Sequence, residues 1–514
     1  MRRRAWLVAA LVVGSLTVPV SATAAVDDIN TQKLRDAVTV NSILNHERAL
    51  QRIANNNGGN RAAGTPGFEA SAAYVKGQLE KAGYKVTEQP FDFEYYQEVT
   101  PATFSQVSPT ATDYETATFT YSGSGDVTGQ IVPVTNIVIP ATPTPSSAAG
   151  CNVADFVPAS LTEPQVALIQ RGSCTFALKA ENAITAGYDA VVIFNEGNPG
   201  RTDLFTGTLG ASLTVPVVGL SYDDGAALVA AAQAAPTTVA VSTAVIAETR
   251  TTKNLLAETK KGSADKVIVV GAHLDSVLEG PGINDNGSGT ATILETAIQM
   301  AKGNVNVNAR QKVRFAFWGA EELGLLGSEH YVASASDEDL AKIYANLNFD
   351  MLASPNYVRF VYDGDGSAEE GAPAGPPGSA QIESIFTSYF ADQGLATEPT
   401  AFDGRSDYGP FIAAGIPAGG LFSGAEELKT PEQAAIFGGT AGVALDACYH
   451  QACDTITNVN TKALNELGDG AVHAIMTLAR SKGGFFEDGS RMASRESSAV
   501  ADTTFEYKGN QLVR

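Results

Sequence analysis

Three apolar runs in the second half of the chain end in the same way. "VIVVGAHLDSVLEGPGINDNGSG", residues 267–289, carries four β-branched apolar residues, stops at a small Gly-Ala pair and then releases His273, Asp275 and Asp285. "VRFAFWGAEELGLLGS" also ends on a small pair, Gly319-Ala320, and delivers Glu321 and Glu322 together, while "YANLNFDML" ends on Asp350. Short, continuous apolar runs suit strands buried on both faces, and the helical patterns "GTATILETAIQMAKG" and "GLLGSEHYVASAS" separate them. Such alternation predicts an α/β fold with a mostly parallel central sheet flanked by helices. Ligands of these sheets sit at the carboxyl ends of the strands, the end to which the acids are delivered.

Packing has no use for so many carboxylates at a buried rim, because an unpaired buried charge costs several kcal/mol. Asp285 alone can be read as the N-cap of the helix that follows it. Read together, the three strand ends ask for a divalent cation. Only five histidines exist in the chain, and two of them, His273 in "GAHLDS" and His450 in "CYHQACD", fall in loops rich in acids. His46, His330 and His473 lie inside helical patterns and are assigned no role. A ligand set of nitrogen and oxygen without thiolate suits Zn²⁺, and four carboxylates with two histidines are too many for one tetrahedral zinc but adequate for two. Adjacency lets one of Glu321 and Glu322 bind metal while the other stays available as a general base.

The set "GAHLDS…GINDNGSG…FAFWGAEELGLLGS…LNFDML…GRSDYGPF…GIPAGGLFSG…CYHQACD" resembles the co-catalytic zinc aminopeptidases of peptidase family M28, of the secreted Streptomyces leucine aminopeptidase type. The resemblance covers about residues 30–100 and 250–480. It implies a zinc exopeptidase-like fold in which His273 and Asp350 bind one Zn²⁺, Glu322 and His450 the other, and Asp285 bridges them. It further implies Glu321 as the base that takes a proton from water, Asp275 as the acid that orients the His273 imidazole, and Tyr449 as the group that stabilises the oxyanion. Arg405 resembles a substrate-contacting arginine, against the alternative of a structural salt bridge with a neighbouring Asp. Phe422 and Met351 read equally as lining for a Leu-like side chain and as ordinary core. "VDDINTQK" and "NELGD" resemble a calcium site of secreted relatives, with Asn465 where an acid is expected.

Between the two matching stretches the composition shifts to Thr, Ser, Val and Pro, and this region resembles a protease-associated (PA) domain, β-rich and inserted into the peptidase. The organisation expected is a signal peptide over 1–25, a discontinuous peptidase domain over 26–104 and 250–481, the insert over 105–249 and a polar tail over 482–514. Arg2, Arg3 and Arg4, an apolar stretch and "SATAA" make the leader a secretory signal, too short for a comfortable membrane span. Export makes disulfides available to the four cysteines, and proximity favours Cys151 with Cys174 and Cys448 with Cys453. A cysteine metal site competes for the second pair. The chain has 56 acidic and 34 basic residues, a net charge of -22, which disfavours nucleic acid and anionic membranes as partners.

The function expected is therefore a secreted, monomeric metallo-aminopeptidase acting on peptides with a free N-terminus, with a preference for large apolar first residues. A carboxypeptidase or dipeptidase on the same metal pair needs cations for a substrate carboxylate, and Arg405 is the obvious one. A non-catalytic binding protein on a peptidase fold would have no need of the six residues His273, Asp285, Glu321, Glu322, Asp350 and His450. No G-x-S-x-G occurs, which removes one serine-hydrolase signature.

Overall fold

The three apolar runs become neighbouring strands in a computed structural model of the chain, which describes residues 29–302, 308–368 and 373–481. Ser263–His273 is central, hydrogen-bonded in parallel to Gln311–Trp318 on one side and to Ile343–Phe349 on the other, and Ala418–Phe422 extends the parallel set. The register pairs Trp318 with His273 and Asn348 with Gly271, so the strands run out almost level and their acids share one rim. Side chains alternate across the sheet, as strand geometry requires. Ile268, Val270, Val313, Phe315 and Leu347 face a core closed by the helices Val40–Asn56, Pro66–Lys81, Gly287–Ala301, Ser379–Asp392 and Thr461–Arg480. Val267, Val269 and Trp318 face the opposite layer, with Tyr331, Leu340 and Phe411.

The small pair at the first strand end has a steric cause. A Cβ on Gly271 would lie 2.4 Å from Nε1 of the buried Trp318, so only glycine lets the central strand pass that indole.

Antiparallel strands flank the parallel set, Thr238–Glu258 beside Gln311–Trp318 and Val86–Ser108 beside Thr238–Glu258. The last two pair from Val86↔Ala257 to Ser108↔Thr238, with bulges, and run without a break from one core into a second. The expected domain boundaries at 104/105 and 249/250 thus fall within continuous strands. Beyond them Gly125–Pro133, Gln165–Gln170, Ala190–Phe194 and Val217–Leu220 form a parallel set with the helices Phe176–Thr185 and Tyr222–Ala234. This second core, around Phe119, Phe176 and Phe205 on one face and Phe194 and Leu228 on the other, carries the disulfide Cys151–Cys174. The signal peptide expected over 1–25 and the polar tail expected over 482–514 lie outside the described residues. Among those described, no helix is long and apolar enough to cross a membrane.

Candidate metal centre

His273, Asp285, Glu321, Glu322, Asp350 and His450 converge at the carboxyl rim. His273 Nε2 lies 3.2 Å from Asp285 Oδ1, 3.2 Å from Asp350 Oδ1 and 3.8 Å from Glu321 Oε2. His450 Nε2 lies 3.2 Å from Asp285 Oδ2 and 2.9 Å from Glu322 Oε2. Asp285 therefore turns one carboxylate oxygen to each imidazole. Donor atoms of His273, Asp285 and Glu322 cluster closely enough for one ion, and so do those of His273, Glu321 and Asp350.

Each side chain has a local reason to be there. Asn286, not Asp285, caps the helix Gly287–Ala301, its side-chain oxygen accepting from Gly289 N at 3.0 Å. That leaves the Asp285 carboxylate to face the histidines. The same Asn286 donates to Phe349 O and accepts from Met351 N, tying the helix to the Asp350 strand end. Asp275, fully buried, accepts the backbone N–H of Glu321 at 3.2 Å and of Glu322 at 3.4 Å. Its carboxylate is 3.7 Å from His273 Nδ1, while its own backbone carbonyl is nearer, at 3.3 Å. Asp275 thus holds the Glu321-Glu322 turn more tightly than it holds the imidazole. Ala320, Met351 and His450 have φ of 58°, 55° and 55°, a left-handed conformation that non-glycine residues adopt at a cost. All three adjoin or supply a site residue.

The charge balance favours a cation. Burial draws the His450 imidazole down, but Glu322 and Asp285 raise it to about 11, and burial pushes Glu322 up to about 7. Burial likewise draws His273 down, yet Asp350 and Glu321 lift it well above its usual range. Glu321 is raised well above the carboxylate range, by burial first and by the neighbouring acids against the pull of His273. Glu322 Oε1 is buried and has no hydrogen-bond partner among the described residues. Such a set of crowded nitrogen and oxygen donors, one oxygen unclaimed, fits Zn²⁺.

Cys448 and Cys453 are bonded to each other, so the alternative of a cysteine metal site does not hold, and their short loop presents Tyr449 and His450. The Tyr449 ring stacks on His450 at 3.9 Å between centroids. Its hydroxyl accepts from Arg405 Nη2 at 3.3 Å, and Arg405 Nη1 pairs with Glu426 at 2.8 Å. Met351 and Phe422 both line the recess over the rim, a cavity of about 80 Å³ shared with Tyr362 and Ala425. Of the proposed calcium residues, 26–28 lie outside the described residues. Glu466 is paired with Arg359, and Asp469 is 4.0 Å from Arg35. Asp363, Asp365 and Glu383 form a third acidic group, its carboxylates accepting backbone N–H groups of Gly364, Gly366, Ser367 and Ala368.

Two supporting residues escaped the sequence reading. Arg61 is fully buried and donates to the carbonyls of Leu274, Pro281 and Gly282, clamping the loop after His273 to the loop before Asp285. Asp454 accepts Asn284 N at 2.8 Å and Asp285 N at 3.0 Å. Asp454 stands at the end of "CYHQACD", where its acid type beside His450 was a signal; nothing in "NNGGNRAAGTPG" marks Arg61 as buried.

Comparison with known proteins follows the same division. Residues 254–475 match peptidase family M28, and residues 127–228 match the PA domain. An aminopeptidase of Pseudomonas aeruginosa is 49% identical over 430 residues, 82% of this chain and 78% of that one. The probable leucine aminopeptidase 2 of Aspergillus fumigatus is 42% identical over 430 residues, 82% of this chain and 80% of its own. Among solved structures, an aminopeptidase from Aneurinibacillus sp. strain AM-1 has a TM-score of 0.66 at 27% identity, covering 88% of this chain and 97% of that chain.

Proposed function

Since this chain belongs to peptidase family M28 and is a zinc aminopeptidase, we propose that it holds two Zn²⁺ ions and releases the first residue, preferentially a large apolar one, from peptides with a free N-terminus. The observation that carries the two-ion reading is the Asp285 carboxylate, with Oδ1 at 3.2 Å from His273 and Oδ2 at 3.2 Å from His450. His273 and Asp350 would hold one ion, Glu322 and His450 the other, and Asp285 both. When bound, the pair supplies Lewis acidity, making a water acidic enough to attack and polarising the scissile carbonyl.

The protein does the rest. Glu321, buried and 3.8 Å from His273 Nε2, takes a proton from the attacking water and returns it to the departing amine. Asp275 fixes the Glu321 backbone while it does so. Tyr449 accepts from Arg405, which leaves its own O–H directed away from the guanidinium, toward the carbonyl oxygen as that oxygen gains charge. Met351 and Phe422 offer the first side chain an apolar wall, and relatives named leucine aminopeptidases support the same preference. Arg405, the cation a carboxypeptidase would need, is paired with Glu426. The leader and the two disulfides support export.

Glu321→Gln is expected to keep its zinc, measured by atomic emission, while turnover of leucine amide falls by roughly 10²–10⁴. Loss of metal in that variant would remove Glu321 from the role of base. His450→Ala should lower the zinc content, and N-acetylated leucine amide should resist the wild-type enzyme.

A further inference from the structure

A second cavity, of about 760 Å³, opens beside the small recess and shares Glu322 and His450 with it. Its size lies within the range of about 300–1,000 Å³ usual for ligand sites. One wall is the stretch Phe91–Glu94 of the strand Val86–Ser108, and another is the helix Leu326–Ser334, through Leu326, Glu329, His330 and Ala333. The third comes from the inserted domain, through Thr120, Tyr121, Thr208 and Gly210. With the first residue in the recess beside Met351 and Phe422, the shared wall of Glu322 and His450 gives the chain beyond the scissile bond a way into this cleft.

The cleft has one sign of charge. Asp92, Glu94, Glu279 and Glu329 are exposed on its walls, and none of the described residues that line it is a lysine or an arginine. His330, set among them, stacks on Phe91 at 5.0 Å. Asp92 accepts from Thr251 Oγ1 at 2.6 Å and Glu94 from Ser212 Oγ at 2.7 Å, partners outside the lining of the cleft, so its charge rests chiefly on Glu279 and Glu329. Val277, Leu323 and Leu326 supply apolar surface between the acids. That combination suits a long basic side chain, which lays its methylene stem on apolar surface and carries its charge to a carboxylate. A one-sign cleft with low-dielectric walls also concentrates ligands of the opposite sign.

We propose that this cleft receives the leaving part of the substrate and makes the enzyme selective for peptides whose second and third residues are basic. The proposal rests on the aminopeptidase reading above, which leucine amide tests separately because it has nothing beyond the scissile bond to enter the cleft. On the full mature enzyme, Leu-Lys-Lys-Lys should be cleaved with a kcat/KM about tenfold or more above that of Leu-Glu-Glu-Glu at low ionic strength. The ratio should narrow in about 0.5 M salt. It should fall in the double variant Glu279→Gln/Glu329→Gln and fall further in Glu279→Lys/Glu329→Lys. Each ratio is taken within one preparation, so misfolded protein cancels. Calorimetry should detect binding of N-acetyl-trilysine amide, whose blocked N-terminus keeps it from being hydrolysed, and no binding of N-acetyl-triglutamate amide. Equal kcat/KM for the two peptides at low salt, or a preference undiminished in both double variants, overturns the proposal. Failure to cleave leucine amide would instead strike the aminopeptidase reading, and binding of the N-acetylated trilysine amide would still decide the cleft.

Discussion

Glu47 shows what a single residue can cost when the site beside it is already acidic. It lies fully buried in the helix Val40–Asn56, and both carboxylate oxygens are without a partner among the described residues. Burial, with a smaller push from Asp454, raises it to about 8. The folded state therefore holds a proton that the unfolded chain releases above its ordinary value of 4.5. Stability from this group is full below 4.5 and is lost as pH rises toward 8, at up to about 1.4 kcal/mol per pH unit in the window. Glu47→Gln removes that slope. Its Tm should match wild type near pH 4.5 and exceed it at pH 8, and a difference that does not grow with pH would mean that Glu47 is already satisfied. Arg61 acts in the opposite sense, a buried cation whose three carbonyl bonds and nearby acids compensate its burial.

At the scale of elements, strand ends and one short covalent loop create the centre. The parallel strands deliver His273, the Glu321-Glu322 turn and Asp350 to one level because their register leaves no other outcome. His450 belongs to no strand or helix; it arrives on the loop closed by Cys448–Cys453 with a left-handed backbone. Closing so short a loop removes unfolded-state entropy worth about 2 kcal/mol. The larger consequence is local, since the bond holds the imidazole that lies 2.9 Å from Glu322 Oε2. Cys448→Ala/Cys453→Ala should therefore lower zinc retention during dialysis against a chelator, with circular dichroism little changed. Retention equal to wild type would show that the stack of Tyr449 on His450 suffices.

Across the whole molecule, the antiparallel pair Val86–Ser108 and Thr238–Glu258 joins the two cores, because the same strands serve both. Unfolding of the inserted domain would strip hydrogen bonds from strands that the peptidase sheet uses. Fluorescence of Trp318, buried in the peptidase part and the only tryptophan among the described residues, should change at the same temperature as the far-ultraviolet circular dichroism of the whole chain. Two separate transitions would mean that the shared strands break between the cores. The sequence by itself determined the buried parallel strands, the helices between them and the acids at their ends, because those features are written in residue type and period. It also carried the family motif around His273, Glu321 and His450. Only the tertiary structure decided that Asn286 caps the helix and frees Asp285, that Asp275 holds the Glu321-Glu322 turn, that Arg61 is buried, and that an acidic cleft of about 760 Å³ forms against the insert. Each of these depends on groups far apart in the chain meeting in space, where distance and burial, rather than local periodicity, set the energy.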